Sequence, residues 1–165
     1  MKLFIRRFPD PALREKADKI KKLDENLIEF ADKLKSLMHA NKGCVGIAAP
    51  QVGFLKRLII VDVSKHKKAC EIHGLLVMIN PEIINTDGMV MNREGCLSVP
   101  DFTGNVTRSE NIKVKYIDLK GDEKTLSTSG FEAVVVQHEI DHLDGILFID
   151  RIKNSKRDLF DRKKY

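Results

Sequence analysis

The chain has no apolar run near the ~18 residues that a membrane-crossing helix requires. Its first residues, Met1-Lys2-Leu3-Phe4-Ile5-Arg6-Arg7, place charges where a signal peptide needs an apolar stretch of roughly 7–15 residues. Export and membrane spanning are not expected, and a cytoplasmic location is. Cysteine is scarce: Cys44, Cys70 and Cys96 are an odd set without a secretory signal. That points to reduced thiols, ligands or packing residues rather than a disulfide framework. No internal repeat, low-complexity tract or Pro/Gly/Ser-rich linker divides the 165 residues. A single domain over 1–165 is therefore expected. A hydrophobic content of 42% beside 32% charged residues suffices for one core and argues against wholesale disorder.

Excess charge is also missing from most of the chain. Residues 1–150 hold 22 Lys/Arg and 22 Asp/Glu, so the net charge of +5 comes from the tail, 151–165. There Arg151, Lys153, Lys156, Arg157, Arg162, Lys163 and Lys164 face only Asp158 and Asp161. Such a tail is either a handle for an anionic partner or a solvated terminal helix.

Periodicity supplies the elements. Asp24 is a candidate N-cap, after which Leu27, Phe30, Ala31, Leu34, Leu37 and Met38 share one helical face that Gly43 ends. Residues 58–63 and 75–79 read as strands, the second closed by the turn signal Asn80-Pro81. Residues 112–117 alternate cleanly, and Gly121-Asp122 turns them into a second short strand at 124–128. Ser129 and Glu132 match a capping box ahead of residues 131–143. The three consecutive valines there would suit a strand, but the cap and the histidine spacing favour a helix. Ser155 with Asp158 suggests a short C-terminal helix. The class expected is α+β, mostly antiparallel strands with helices at both ends of the chain.

The helix over 131–143 carries His138-Glu139-Ile140-Asp141-His142, an H-E-x-x-H pentad. Residues four apart share a helix face, with Cβ atoms about 5–6 Å apart, so two imidazoles can converge on one ion. Glu139 can then reach a water beside the ion without ligating it. A helix with two surface histidines is the plainer alternative. A catalytic site also needs a third ligand and an open position. Phe148 stands where metzincin proteases carry their third His, and no Glu follows Glu139. The downstream candidates are Asp144, Asp150, Asp158 and Asp161; upstream stands Cys96, either a ligand or a buried inert thiol.

Three segments taken together, Gly46-Ile47-Ala48-Ala49-Pro50-Gln51, Glu94-Gly95-Cys96-Leu97-Ser98 and Gln137-His138-Glu139-Ile140-Asp141-His142, resemble in order and spacing the motifs of peptide deformylases. The Phe8-Pro9-Asp10-Pro11 flank is similar too. The resemblance implies an α+β fold around the H-E-x-x-H helix and removal of the formyl group from the formyl-Met end of nascent polypeptides. It implies one divalent ion, Fe2+ in nature with Ni2+, Co2+ or Zn2+ substituting. Cys96, His138 and His142 would be the ligands and Glu139 the acid/base, while Gln51 and the Leu97 backbone bind the formyl oxygen. Another H-E-x-x-H metallohydrolase or peptidase is the alternative activity. A metal-stabilised binding protein is the non-catalytic one.

Small residues such as Gly46 let a backbone approach the substrate, and Val45, Val134 and Val135 are candidates for a methionine slot or for ordinary core. Asp141 and Arg108 are a candidate pair supporting the ligands. Two positions depart from the family pattern. Cys44 stands where the first glycine of the first motif is expected. Thr103 stands where many members carry an arginine that meets the peptide backbone, so peptide affinity is weaker here or another residue compensates. No sequence-specific nucleic-acid contact is expected. The tail 151–165 is expected to dock on the ribosome, and ending the chain after Asn154 to leave short-peptide turnover nearly unchanged.

Overall fold

Two helices enclose a sheet in which one inner strand is apolar on both faces. In the computed structural model, which describes residues 2–163, strand β2 (Leu58–Val61) is buried throughout. Leu58 and Ile60 pack with the residues of α1 (Glu25–Ala40), whereas Ile59 and Val61 pack with those of α2 (Gly130–Leu143). A strand buried on both faces reads as a continuous apolar run, as Leu58-Ile59-Ile60-Val61 does. The sheet has the order β1-β2-β3-β6-β7, with β1 at Gly46–Ala48, β3 at Leu76–Asp87, β6 at Asn111–Ile117 and β7 at Glu123–Ser129. All its pairings are antiparallel. A second antiparallel sheet has the order β4-β5-β8, from Val90–Cys96, Val99–Arg108 and Leu159–Asp161. The α+β class is therefore as expected.

Helix α1 follows its signals. The Asp24 carboxylate accepts a hydrogen bond from the Leu27 N–H at 2.9 Å, and Leu27, Ala31, Leu34 and Met38 are buried. It ends at Ala40, before Gly43, because Asn41 donates its side-chain amide to the Leu37 carbonyl at 2.8 Å and so satisfies a terminal acceptor. The strand expected to close at Asn80-Pro81 instead runs on to Asp87. Asn80 adopts φ 51°, and its side chain exchanges two 2.8 Å hydrogen bonds with the Ile20 backbone. Proline has no N–H to give the ladder, and the register shifts between Ile79 and Glu82, so the turn signal marks a bulge inside one long strand.

Three further differences bear on the site. The segment around Cys96, turn-rich in the sequence, forms the β4–β5 hairpin, with Cys96 paired to Val99 across Leu97-Ser98. The capping box at Ser129 does not form. Glu132 is held by the Thr128 hydroxyl at 2.8 Å, by the His73 N–H at 2.9 Å and by the His73 ring. Finally, the short C-terminal helix α3 (Ser155–Asp158) is capped by Asn154 rather than Ser155, and the chain then adds β8 to the edge of β5. Lys164 lies outside the described residues. No helix among those residues is long and apolar enough to cross a membrane.

Candidate active site

Helix α2 is buried along nearly its whole length, from Glu132 to Leu143. This is why three consecutive valines sit in a helix: Val135 and Val136 pack toward the sheet, and Val134 lines a cleft of about 310 Å³. The His138 and His142 side chains leave this helix on one face and meet Cys96 at the end of β4. One ligand atom from each of the three lies within 4.8 Å of the others, and Cys96 Sγ stands 3.3 Å from His142 Nε2. Ligand atoms around one tetrahedral ion, at metal distances of about 2.0–2.3 Å, are themselves roughly 3–4 Å apart. The donor set fits one divalent ion. The downstream aspartates are engaged elsewhere: Asp144 with Arg57, Asp150 with Arg14 and Asp158 with Arg157, while Asp161 sits in β8 opposite Phe102. Phe148 is buried with its ring stacked toward His138.

A chain of ion pairs holds the candidate ligands in place. Glu94 accepts from Arg108 at 2.5 and 2.9 Å and bonds His138 Nδ1 at 2.8 Å, which leaves His138 Nε2 for the cleft. Arg108 also donates to Asp141 at 2.9 Å, the pair anticipated from sequence. Arg151 completes the row on Asp141 at 2.6 and 2.8 Å. Burial opposes ionisation of Glu94, but the Arg108 and His138 hydrogen bonds hold its carboxyl down to about 2. Breaking a buried network of this kind exposes an uncompensated charge, so it ties β4, β5 and α2 into one geometry. Sequence reasoning gave Glu94 no role beyond its place in the second motif and counted Arg151 only among the cations of the basic tail, whereas its guanidinium is engaged by Asp141. The signal for Glu94 was its position two residues before a candidate ligand.

Glu139 stands beside the ligand cluster, with Oε1 4.0 Å from His138 Nε2. Its Oε2 is buried without a hydrogen-bond partner among the described residues. Burial drives its pKa up to about 7, against the opposing pull of His138. A carboxyl that titrates near neutrality and has a free oxygen is suited to proton transfer. His142 is pushed well below the ordinary imidazole value by burial and by the charges of His138 and Arg108, so it is a neutral donor. For His138, burial opposes protonation, but hydrogen bonds with Cys96 and Glu94 outweigh it and raise the pKa well above the ordinary value. An ion bound there would have to displace that proton.

The first motif forms the opposite wall. Gln51 is buried; its Oε1 accepts from the Ala48 N–H at 2.9 Å, and its Nε2 lies 3.1 Å from Ser98 Oγ and 3.5 Å from Cys96 Sγ. Only glycine fits at 46, since a Cβ there would stand 2.8 Å from both Glu139 Oε1 and Val135 Cγ1. Val45, Gly46, Gln51, Leu97, Val134 and Val135 all line the same cleft as Cys96, His138 and Glu139. Cys44, the first departure, lines it too. Burial and nearby Glu139 push its thiol up to about 12, and its Sγ donates to the Gly46 carbonyl at 3.2 Å, so it is a neutral thiol. Thr103, the second departure, accepts a 3.1 Å hydrogen bond from Arg93 Nε.

Residues 2–158 match the family described as polypeptide deformylase. The peptide deformylase of Thermodesulfovibrio yellowstonii is 45% identical over 163 residues, 99% of this chain and 96% of the relative. That of Endomicrobium trichonymphae is 44% identical, over 98% of this chain and 93% of its own length. Among solved structures, the peptide deformylase of Thermotoga maritima superposes with a TM-score of 0.85 at 40% identity, covering 93% of this chain and 99% of that one. The Met-Ala-Ser-bound class I type b peptide deformylase of Acinetobacter baumannii gives 0.85 at 40% identity, covering 92% and 99%.

Proposed function

The chain belongs to the polypeptide deformylase family, and we propose that Cys96, His138 and His142 hold its ion while Glu139 moves the protons of the reaction. It is a hydrolase that removes the N-formyl group from the formyl-Met end of new polypeptides, not another H-E-x-x-H hydrolase or peptidase. The observation that carries the assignment of residues is the meeting of three donor atoms beside a buried carboxyl oxygen that has no partner among the described residues. Fe2+ is the ion proposed, by family resemblance, with Ni2+, Co2+ or Zn2+ able to substitute in a borderline-soft set of one thiolate and two imidazoles. We read residues 1–165 as one domain working in the cytoplasm.

A divalent ion bound there supplies Lewis acidity, bringing water's pKa from 15.7 toward about 7. The protein does the rest. Val45, Val134 and Val135 receive the methionine side chain, and the Met-Ala-Ser held by the Acinetobacter baumannii relative is the kind of product this slot fits. The Leu97 N–H and Gln51 Nε2 face the formyl oxygen. Because Gln51 Oε1 is anchored on the Ala48 N–H, its amide nitrogen keeps its aim as charge develops on that oxygen. Glu139 Oε2 takes a proton from the attacking water and returns it to the amine nitrogen as the C–N bond breaks, releasing formate and a free N-terminus.

Anaerobically purified protein is expected to carry one divalent ion per chain and to release formate from formyl-Met-Ala-Ser. Chelation should abolish turnover, and added Fe2+ or Ni2+ should restore it. Turnover unaffected by complete metal removal would overturn the assignment.

The basic tail is proposed as a ribosome-docking handle. Truncation after Asn154 no longer tests this cleanly, because it also removes β8 and Arg162, which lines the cleft. The Lys153→Gln, Lys156→Gln, Lys163→Gln variant keeps both. Co-sedimentation with ribosomes at low salt should fall, as phosphate contacts by Lys and Arg are salt-sensitive. Unchanged co-sedimentation would exclude the handle.

A further inference from the structure

The mouth of the cleft carries charge of one sign. Lys42, Lys68, Arg93 and Arg162 line it, and all four are exposed. The acids among its described lining are Glu94 and Glu139, both buried at its floor, and Glu94 is paired with Arg108. Residues 1–150 are balanced in charge, so this asymmetry is local.

Three of the four cations, Arg93, Arg162 and Lys68, are placed by tertiary contacts. Arg93 on β4 donates from Nε to Thr103 on β5 at 3.1 Å, and its guanidinium lies 4.0 Å from the centroid of the Phe160 ring on β8. Arg162 follows β8, and its N–H donates to the Asp101 carbonyl at 2.8 Å. Its guanidinium lies over Gly95, where an added Cβ would stand 2.5 Å from Nη2. Gly95 adjoins Cys96, so both arginines reach the cleft from the Cys96 side. Lys68 reaches it from another part of the chain, fixed to Asn92 Oδ1 at 3.3 Å and set 6.0 Å from the centre of the Phe131 ring.

A peptide with its formyl group at the floor passes its following residues through this mouth. From this we propose that Arg93 and Arg162 are specificity-determining residues that favour formyl-methionyl chains with acidic side chains shortly after the methionine. The inference rests on the deformylase reading of the cleft. A guanidinium held in place loses less rotamer freedom on meeting a carboxylate, which is why the two arginines are the expected determinants. It also gives the C-terminal strand a role in the site: β8 positions Arg93 through Phe160 and carries Arg162 to the mouth.

The test compares formyl-Met-Ala-Glu-Glu with formyl-Met-Ala-Lys-Lys on the metal-loaded enzyme. At low salt kcat/KM should favour the acidic peptide about tenfold, mainly through KM, given partly exposed charge pairs. About 0.5 M salt should bring the ratio near one, since screening then acts over a few ångströms. Arg93→Gln with Arg162→Gln should cut the ratio to about threefold or less. Lys22→Gln with Lys113→Gln, the same loss of net charge elsewhere, should leave it intact. Equilibrium binding of Met-Ala-Glu-Glu and Met-Ala-Lys-Lys gives a readout independent of turnover. Binding preference without any deformylation would sustain the mouth and sink the activity. Equal kcat/KM at low salt, or a preference that stays near tenfold in the double arginine variant, would overturn the proposal.

Discussion

Glu139→Gln is expected to keep a full complement of metal and lose 10²–10⁴ in kcat/KM, about 3–5 kcal/mol of barrier. Metal is retained because the donors Cys96, His138 and His142 are untouched. Rate is lost because an amide cannot accept the water's proton. The glutamine keeps the volume that faces Gly46 and Val135, so packing around the first motif is preserved. Glu139→Ala, which opens that space, should lose as much activity while still binding metal. Metal analysis beside steady-state kinetics decides the point. A variant keeping more than about a tenth of the rate would remove Glu139 from the proton-transfer role.

Cys96→Ser is expected to weaken metal binding by more than about 100-fold, since substitutions that merely support a ligand already cost 10–100-fold. An alcohol is mostly protonated at neutral pH and is a poor ligand for a borderline ion. Cys96 also packs with Leu13, Val99, Val106, Leu147 and Phe148, so thermal unfolding of the metal-free proteins must be compared to separate lost ligation from lost packing. Cys44→Ser and Cys70→Ser are the controls for metal content. The Cys44 thiol, pushed up to about 12, stays protonated, and Cys70 is exposed away from the donor group. Both should retain stoichiometric metal. A Cys96→Ser protein holding metal at parental affinity would reduce Cys96 to a packing residue.

What the sequence determined by itself was local. The pentad His138–His142 needs only the 3.6-residue period to put two imidazoles on one face, and Asp24 needs only the N–H three residues on to start α1. The β6–β7 hairpin likewise closes over its own turn, where Asp118 accepts from the Lys120 and Asp122 N–H groups at 2.9 and 3.0 Å. Even Cys96 became a convincing candidate only through the resemblance carried by three separated motifs. Local pattern failed wherever a distant partner outweighed it. Asn80-Pro81 reads as a turn until Ile20 offers its backbone to the Asn80 amide, and Ser129-x-x-Glu132 reads as a cap until His73 and Thr128 take the carboxylate. The path from His138 through Glu94, Arg108 and Asp141 to Arg151 joins residues 10 to 44 positions apart, a spacing no periodicity encodes. The tail gave the same lesson at larger scale: its charge was visible in composition, but its strand was not. Leu159–Asp161 is too short to announce itself and exists because the edge of β5 at Phe102–Gly104 offers unpaired backbone groups for it to satisfy. That pairing, made between segments more than fifty residues apart, carries Arg162 to the mouth of the active site.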